Sequence, residues 1–177
     1  LIVLHQKGSH GPAYYKRHPS RFSVFAPECC SDSPQKCATN EIVNAYDNTI
    51  LYTDYFLHRT IGLLRKRFAT DNAMLLYFSD HGESLGENGL YLHGLPYMVA
   101  PDEQTHVPFI AWLSDGYTRE HAVDRKCLDS RHDKPYSHAN LFHSLLGAFD
   151  VRTEVYRSER DILAECRTGT EDPLIAV

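Results

Sequence analysis

Between Glu41 and Phe68 the positions Ile42, Tyr46, Ile50, Thr53, Leu57, Ile61, Leu64 and Phe68 recur every three or four residues. Only a helix, with its period of about 3.6 residues, brings such positions onto one continuous stripe. Arg65, Lys66 and Arg67 gather in its last turn, where cations complement the negative end of the helix dipole. After the turn residues Asp71-Asn72 comes an apolar run, Ala73-Met74-Leu75-Leu76-Tyr77-Phe78. Its length suits a buried strand. A long amphipathic helix leading into a buried strand places the chain in the α/β class, where helices cover the faces of a sheet.

The remaining elements fit that class. Leu1 to His5 reads as a strand, Ala13 to Arg17 as one helical turn, and residues 18–37 as loop. Val107 to Leu113 reads as a third strand, residues 114–135 as polar and irregular, and Ser137 as the cap of a helix over 138–147. The tail from Thr168 carries no expected structure. The opening Leu1-Ile2-Val3-Leu4, with no methionine and no polar lead-in, is the expectation for a strand cut open, hence for a piece of a longer protein.

Charge excludes one class of function. The net charge of −5 speaks against a nucleic-acid binder, whose phosphate contacts demand clustered Lys and Arg. No apolar stretch approaches the ~20 residues that span a bilayer.

The chemistry concentrates in Ser79-Asp80-His81-Gly82-Glu83-Ser84-Leu85-Gly86-Glu87-Asn88-Gly89-Leu90-Tyr91-Leu92-His93-Gly94. These imidazoles and carboxylates lie just past the carboxyl end of the Ala73–Phe78 strand, the sheet edge where ligands collect in α/β proteins. Asp80 and His81 are both good zinc ligands. Gly82 is expected to permit the sharp turn that their adjacency requires. Gly86, Gly89 and Gly94 let His93 fold back toward Asp80. His10, between Gly8-Ser9 and Gly11-Pro12, ends another expected strand. Parallel strands would put both loops on one edge, so that Asp80, His81, His93 and His10 converge.

A competing motif occupies the same place. Gly82-Glu83-Ser84-Leu85-Gly86 matches G-x-S-x-G, the strand–turn–helix elbow of serine hydrolases, with His138 or His143 as a base for Ser84. Glu87-Asn88-Gly89 is a poor helix start for it. His143 otherwise reads as structural, and His18, His58, His106, His121 and His132 read as solvated. Lys7, Lys16 and Arg17 lie near the first loop, where cations can attract phosphate oxygens.

Cysteine use leaves alternatives open. Cys29 and Cys37 close a loop of turn formers, and a disulfide there would stabilise by roughly 2–3 kcal/mol in an oxidising compartment. Free buried thiols are the alternative. Cys30, Cys127 and Cys166 have no assignable partner.

Three stretches together resemble a known family. They are His5-Gln6-x-Gly8-Ser9-His10-Gly11-Pro12-x-Tyr14-Tyr15-x-Arg17, Asn44-Ala45-Tyr46-Asp47-Asn48, and Ser79 to Gly94 continuing into Pro96-Tyr97. They are similar to the lipid A phosphoethanolamine transferases, including the mobilised colistin-resistance enzymes, within the alkaline phosphatase and sulfatase superfamily. The resemblance implies a sulfatase-like three-layer α/β sandwich. Residues 1–167 would be the carboxyl-terminal part of its catalytic domain, and 168–177 a tail without counterpart.

It also implies zinc held by Asp80 and His81 together with a Glu and a nucleophilic Thr. His10 and His93 would contact the phosphoethanolamine group or a further zinc, and Cys29–Cys37 would be a disulfide. The implied donor is phosphatidylethanolamine and the implied acceptor lipid A, with a phospho-threonine intermediate. The implied protein is a monomer on the periplasmic side of the inner membrane, anchored through an amino-terminal region that this sequence does not contain. The expected Glu and Thr are missing from this sequence as well, since Thr39, Thr49, Thr53 and Thr60 do not lie in the corresponding motif. The chain alone is therefore expected to be inactive. A superfamily hydrolase acting on a soluble substrate, and a non-catalytic zinc-binding half-domain, are the other readings. Glu83 is expected to orient His81 from behind.

Overall fold

A computed structural model of the chain describes residues 1–68 and 70–168. They fall into two compact units. The first comprises residues 1–63 and 76–110, the second the described residues within 64–75 and 111–177. The elements in chain order are α1 (Thr39–Phe68), β1 (Met74–Phe78), β2 (Ser84–Leu85), β3 (Tyr91–Leu92), α2 (Asp102–Thr105), β4 (Phe109–Leu113), α3 (Asp115–Glu120), α4 (Arg125–Asp129) and α5 (His138–Ala148). Short 3-10 turns join several of them. β1 pairs with β4, and β2 with β3.

The expected strand at Leu1–His5 does not form. A strand persists only where a neighbour pairs its N–H and C=O groups, and the described residues offer none there. Leu1, Ile2, Val3 and Leu4 are all exposed. β1 is also less buried than its apolar run suggests, ending on an exposed Phe78.

The first unit forms around the amino-terminal half of α1. Ile42 and Ala45 pack with Tyr14, Cys29 and Leu85 in one apolar cluster. Cys29 is disulfide-bonded to Cys37, which joins the cluster's edge. The buried stripe of α1 is not the continuous apolar one expected. Ile50 and Phe68 are exposed, whereas Asn48 and Thr49 are fully buried. The reason is hydrogen bonding to the loop that α1 carries. Asn48 Oδ1 accepts from Val24 N and Phe25 N, each at 2.9 Å. Its amide nitrogen donates to Phe25 O at 3.0 Å and to Glu28 Oε2 at 3.1 Å. A buried amide satisfied on both sides ties this loop to the helix. His18, expected in solvent, is instead buried with its Nε2 3.1 Å from Glu28 Oε2.

The second unit packs Leu113, Tyr117, Val123 and Leu163 together. Residues 114–135 are not irregular, because two side chains start helices within them. Ser114 Oγ accepts from Tyr117 N at 3.0 Å at the start of α3. Asp124 accepts from Lys126 N at 2.8 Å at the start of α4. Such caps satisfy the first orphan amides of a helix. α5 starts after Ser137, as the sequence suggests, and Asn140 Oδ1 accepts from Ser137 N at 2.8 Å there. His143 is buried and accepts from Arg157 N at 3.2 Å, a structural role. His121, expected in solvent, is largely covered and lies 3.3 Å from Asp150. Cys127 and Cys166, unassigned from sequence, form a second disulfide, and Cys30 is an exposed thiol. Thr168 N donates to Ala122 O at 2.9 Å. The rest of the expected tail, 169–177, lies outside the described residues.

Candidate metal centre

The segment after β1 is not a free loop. β2 and β3 pair antiparallel, Ser84 with Leu92 and Leu85 with Tyr91. The connection between them uses left-handed backbone at Gly86, Asn88 and Gly89, which glycine and asparagine adopt at least cost. This register puts Glu83 and His93 opposite one another at the open end of the hairpin. Gly82 acts differently from expectation. Its φ is not positive; its N–H donates to Gln104 O at 2.9 Å, and a Cβ there would run into Glu103 O. Close approach of two backbones, not a left-handed turn, requires glycine at this position.

Glu83 is buried, its side chain 3% exposed, and it gathers three donors. Oε1 accepts from Gly11 N at 2.9 Å and lies 3.1 Å from His93 Nδ1. Oε2 accepts from Tyr14 OH at 3.2 Å. Burial, and next the Glu83 carboxylate, push the Tyr14 hydroxyl above its ordinary pKa, so it stays a donor. One carboxylate thus ties the His10 loop to the hairpin. No strand precedes His10, yet His10 reaches the site through this bond, through Arg17 Nε donating to His10 O at 2.9 Å, and through Thr49 Oγ1 lying 2.6 Å from Ser9 Oγ. Glu83 orients His93 and not, as expected, His81.

Three histidines meet here. One ring nitrogen from each of His10, His81 and His93 lies within 4.8 Å of the others. The His81 and His93 rings stack with centroids 3.8 Å apart, and His10 meets His93 edge-on at 4.8 Å. Their Nδ1 atoms all face acceptors: Gly11 O at 2.7 Å for His10, Gly82 O at 2.9 Å for His81, and Glu83 for His93. Carbonyl and carboxylate oxygens cannot donate, so each Nδ1 carries the proton in these contacts. In the neutral imidazole each Nε2 then keeps its lone pair. That is the arrangement of metal-ligating histidines, whose second nitrogen is held by a carbonyl or carboxylate.

Asp80 stands beside this cluster, its side chain 78% exposed and its Oδ1 3.9 Å from His81 Nε2. A divalent cation suits this donor set: three imidazole nitrogens and an exposed carboxylate.

Ser84 does not fit a hydrolase. It is 1% exposed, its hydroxyl accepts from Gln104 Nε2 at 2.9 Å, and it is followed by one 3-10 turn and a second short strand instead of the α-helix an elbow needs. A nucleophile must be reachable, and this hydroxyl is a buried brace. Sequence reasoning missed Tyr14 and Gly11 as supports of the site. Both stand in the first stretch of the family resemblance, but their role is not legible there because their partner lies about 70 residues away.

Comparison with known proteins decides the family. The family model described as Sulfatase matches residues 1–151. The chain belongs to the sulfatase family. It is 48% identical over 172 residues to the phosphoethanolamine transferase EptA of Salmonella typhimurium, covering 97% of this chain and 31% of that protein. The chain therefore spans about a third of the length of the curated relatives it matches. Among solved structures it resembles the soluble domain of lipooligosaccharide phosphoethanolamine transferase A from Neisseria meningitidis. The TM-score is 0.86 and the identity 44%, over 92% of this chain and 49% of that one. It also resembles the zinc complex of the C-terminal periplasmic domain of EptC from Escherichia coli, with a TM-score of 0.72 and 25% identity over 92% of this chain and 44% of that one. The α/β, sulfatase-like fold expected from the sequence is the fold of these structures. Among the described residues no helix is long and apolar enough to cross a membrane.

Proposed function

We propose that residues 1–167 are the carboxyl-terminal part of the catalytic domain of a zinc-dependent phosphoethanolamine transferase. It works on the periplasmic side of the inner membrane as a monomer. The observation that carries this reading is the set of three imidazoles, each with Nδ1 held and Nε2 available, beside Asp80. The likeness to EptA and to the zinc complex of EptC supports the choice of substrate and metal.

Asp80 and His81 would hold zinc, with His10 and His93 facing either a further ion or the phosphoryl oxygens. Bound there, zinc supplies positive charge that polarises a phosphoryl oxygen and lowers the pKa of a coordinated hydroxyl. The nucleophile is a threonine from a part of the protein outside this chain. Its oxygen bonds to the phosphorus of phosphatidylethanolamine, and the bond to the diacylglycerol oxygen breaks. The threonine proton passes to Nε2 of an imidazole such as His10 or His93 and from there to that oxygen. A lipid A phosphate oxygen then attacks the phosphorus, and the threonine oxygen is released. In both steps His10 and His93 keep fixed orientations because Gly11 O and Glu83 hold their Nδ1 protons.

Two experiments test the reading. Asp80→Asn in the full-length protein abolishes lipid A modification and polymyxin resistance, and lowers zinc content by elemental analysis; normal values of both overturn the ligand assignment. The purified 177-residue chain shows no phosphoethanolamine transfer, since it lacks the nucleophile; turnover by that chain refutes the threonine assignment.

A further inference from the structure

Outside the metal centre, one surface of the first unit combines features that the proposed chemistry does not use. Val24 and Phe25 are 62% and 42% exposed, yet their backbone is pinned by the fully buried Asn48. The apolar pair is therefore presented rigidly. Beside it in sequence, the Phe22 ring packs on Tyr52 and Tyr55, with centroids 4.9 and 5.1 Å away. The Arg21 guanidinium lies over Phe22 at 5.0 Å and over Tyr55 at 5.5 Å. Arg59 covers Tyr55 at 5.9 Å.

Lys16, Arg125, Arg131 and Lys134 each pair with a carboxylate. Arg21 and Arg59 have no carboxylate partner among the described residues. Here two guanidiniums are stacked on aromatic rings. Stacking orients a guanidinium while leaving its N–H groups free for phosphate.

We propose that the face formed by Arg21, Phe22, Val24, Phe25, Tyr55 and Arg59 docks on an anionic phospholipid leaflet. The arginines meet headgroup phosphates, the aromatic rings sit at headgroup level, and Val24 and Phe25 enter the upper acyl region. This rests on the transferase reading, in which donor and acceptor are both phosphate-bearing lipids at a bilayer. That favours a lipid surface over a protein, although aromatic and Arg side chains also occur at protein interfaces.

The test is co-sedimentation of the purified 177-residue chain with phosphatidylcholine vesicles, with and without phosphatidylglycerol. The chain binds the phosphatidylglycerol vesicles preferentially, and added salt weakens binding. Each arginine near an anionic leaflet contributes roughly fivefold, so Arg21→Ala with Arg59→Ala weakens binding about 25-fold. Val24→Asp, at an exposed position that leaves the core untouched, weakens it as well. Lys126→Ala with Lys134→Ala removes the same charge from the second unit and leaves binding unchanged. No preference for anionic vesicles, or equal losses in the arginine and lysine pairs, overturns the proposal. Full vesicle binding by the arginine variant also overturns it and leaves the face to a protein partner. Failure of the transferase reading shows instead in zinc content and lipid A modification, which the vesicle assay does not measure.

Discussion

Glu83 and His93 face each other across the open end of a two-residue-per-strand hairpin, with Oε1 3.1 Å from Nδ1. The same oxygen takes the amide of Gly11 at 2.9 Å, one residue after His10. A single buried carboxylate therefore sets the tautomer of one histidine and the position of another.

Removing that carboxylate has two separable effects. Glu83→Ala leaves Gly11 N and Tyr14 OH without their buried acceptor and costs at least about 1–3 kcal/mol, read from urea melts. Glu83→Gln keeps the shape but weakens the hold on His93. Zinc affinity then falls about tenfold in competition with a chromogenic chelator. Wild-type affinity in the glutamine variant would separate His93 from the metal.

Gly11 has no room for a side chain. A Cβ there would lie 2.5 Å from Leu92 Cδ2 and 2.9 Å from the Tyr14 hydroxyl. Gly11→Ala must push the His10 loop away from the hairpin, at a cost of about 1–3 kcal/mol for overpacking. Thermal melting checks it, and an unchanged midpoint contradicts the packing described here.

The Cys127–Cys166 disulfide joins residues 39 apart in sequence. In the chain-entropy account a loop of this length is worth roughly 4 kcal/mol. Replacing both cysteines by serine lowers the urea midpoint accordingly. A loss confined to a few tenths of a kcal/mol would show that the α4 region is held by other contacts.

Asp161 gives the second unit a pH signature. Burial raises its carboxyl above the ordinary value of 3.8, against the opposing bonds from Leu163 N and Tyr156 OH and the nearby Arg167. The folded state thus binds this proton more tightly than the unfolded chain does. The associated stability is fully present below the unfolded value and is lost as pH rises through the folded one. The stability of wild type relative to Asp161→Asn should therefore fall as pH rises upward from 3.8. Urea melts at several acidic pH values measure it, and a relative stability that rises with pH would reverse the assignment.

Some of this was legible in one dimension. The period of Ile42 to Phe68 declared α1, and the apolar run from Ala73 declared β1, because both signals are local. The cluster of Asp80, His81, His93 and His10 stood out by residue type alone. Leu1–His5 misled, since strand formation depends on a partner and not on composition. Residues 114–135 misled in the other direction, since one capping serine and one capping aspartate suffice to start short helices in a polar stretch.

The sequence by itself determined the chain's α/β class, its long helix and the identity of the side chains able to grip a cation. Tertiary structure alone decided which nitrogen of each imidazole stays available, that Glu83 serves His93, that Ser84 is buried, and that Cys127 finds Cys166. The reason is physical. Helical period and residue chemistry act between neighbours in the chain, whereas tautomer, burial and disulfide pairing depend on groups that only folding brings within hydrogen-bonding or bonding distance.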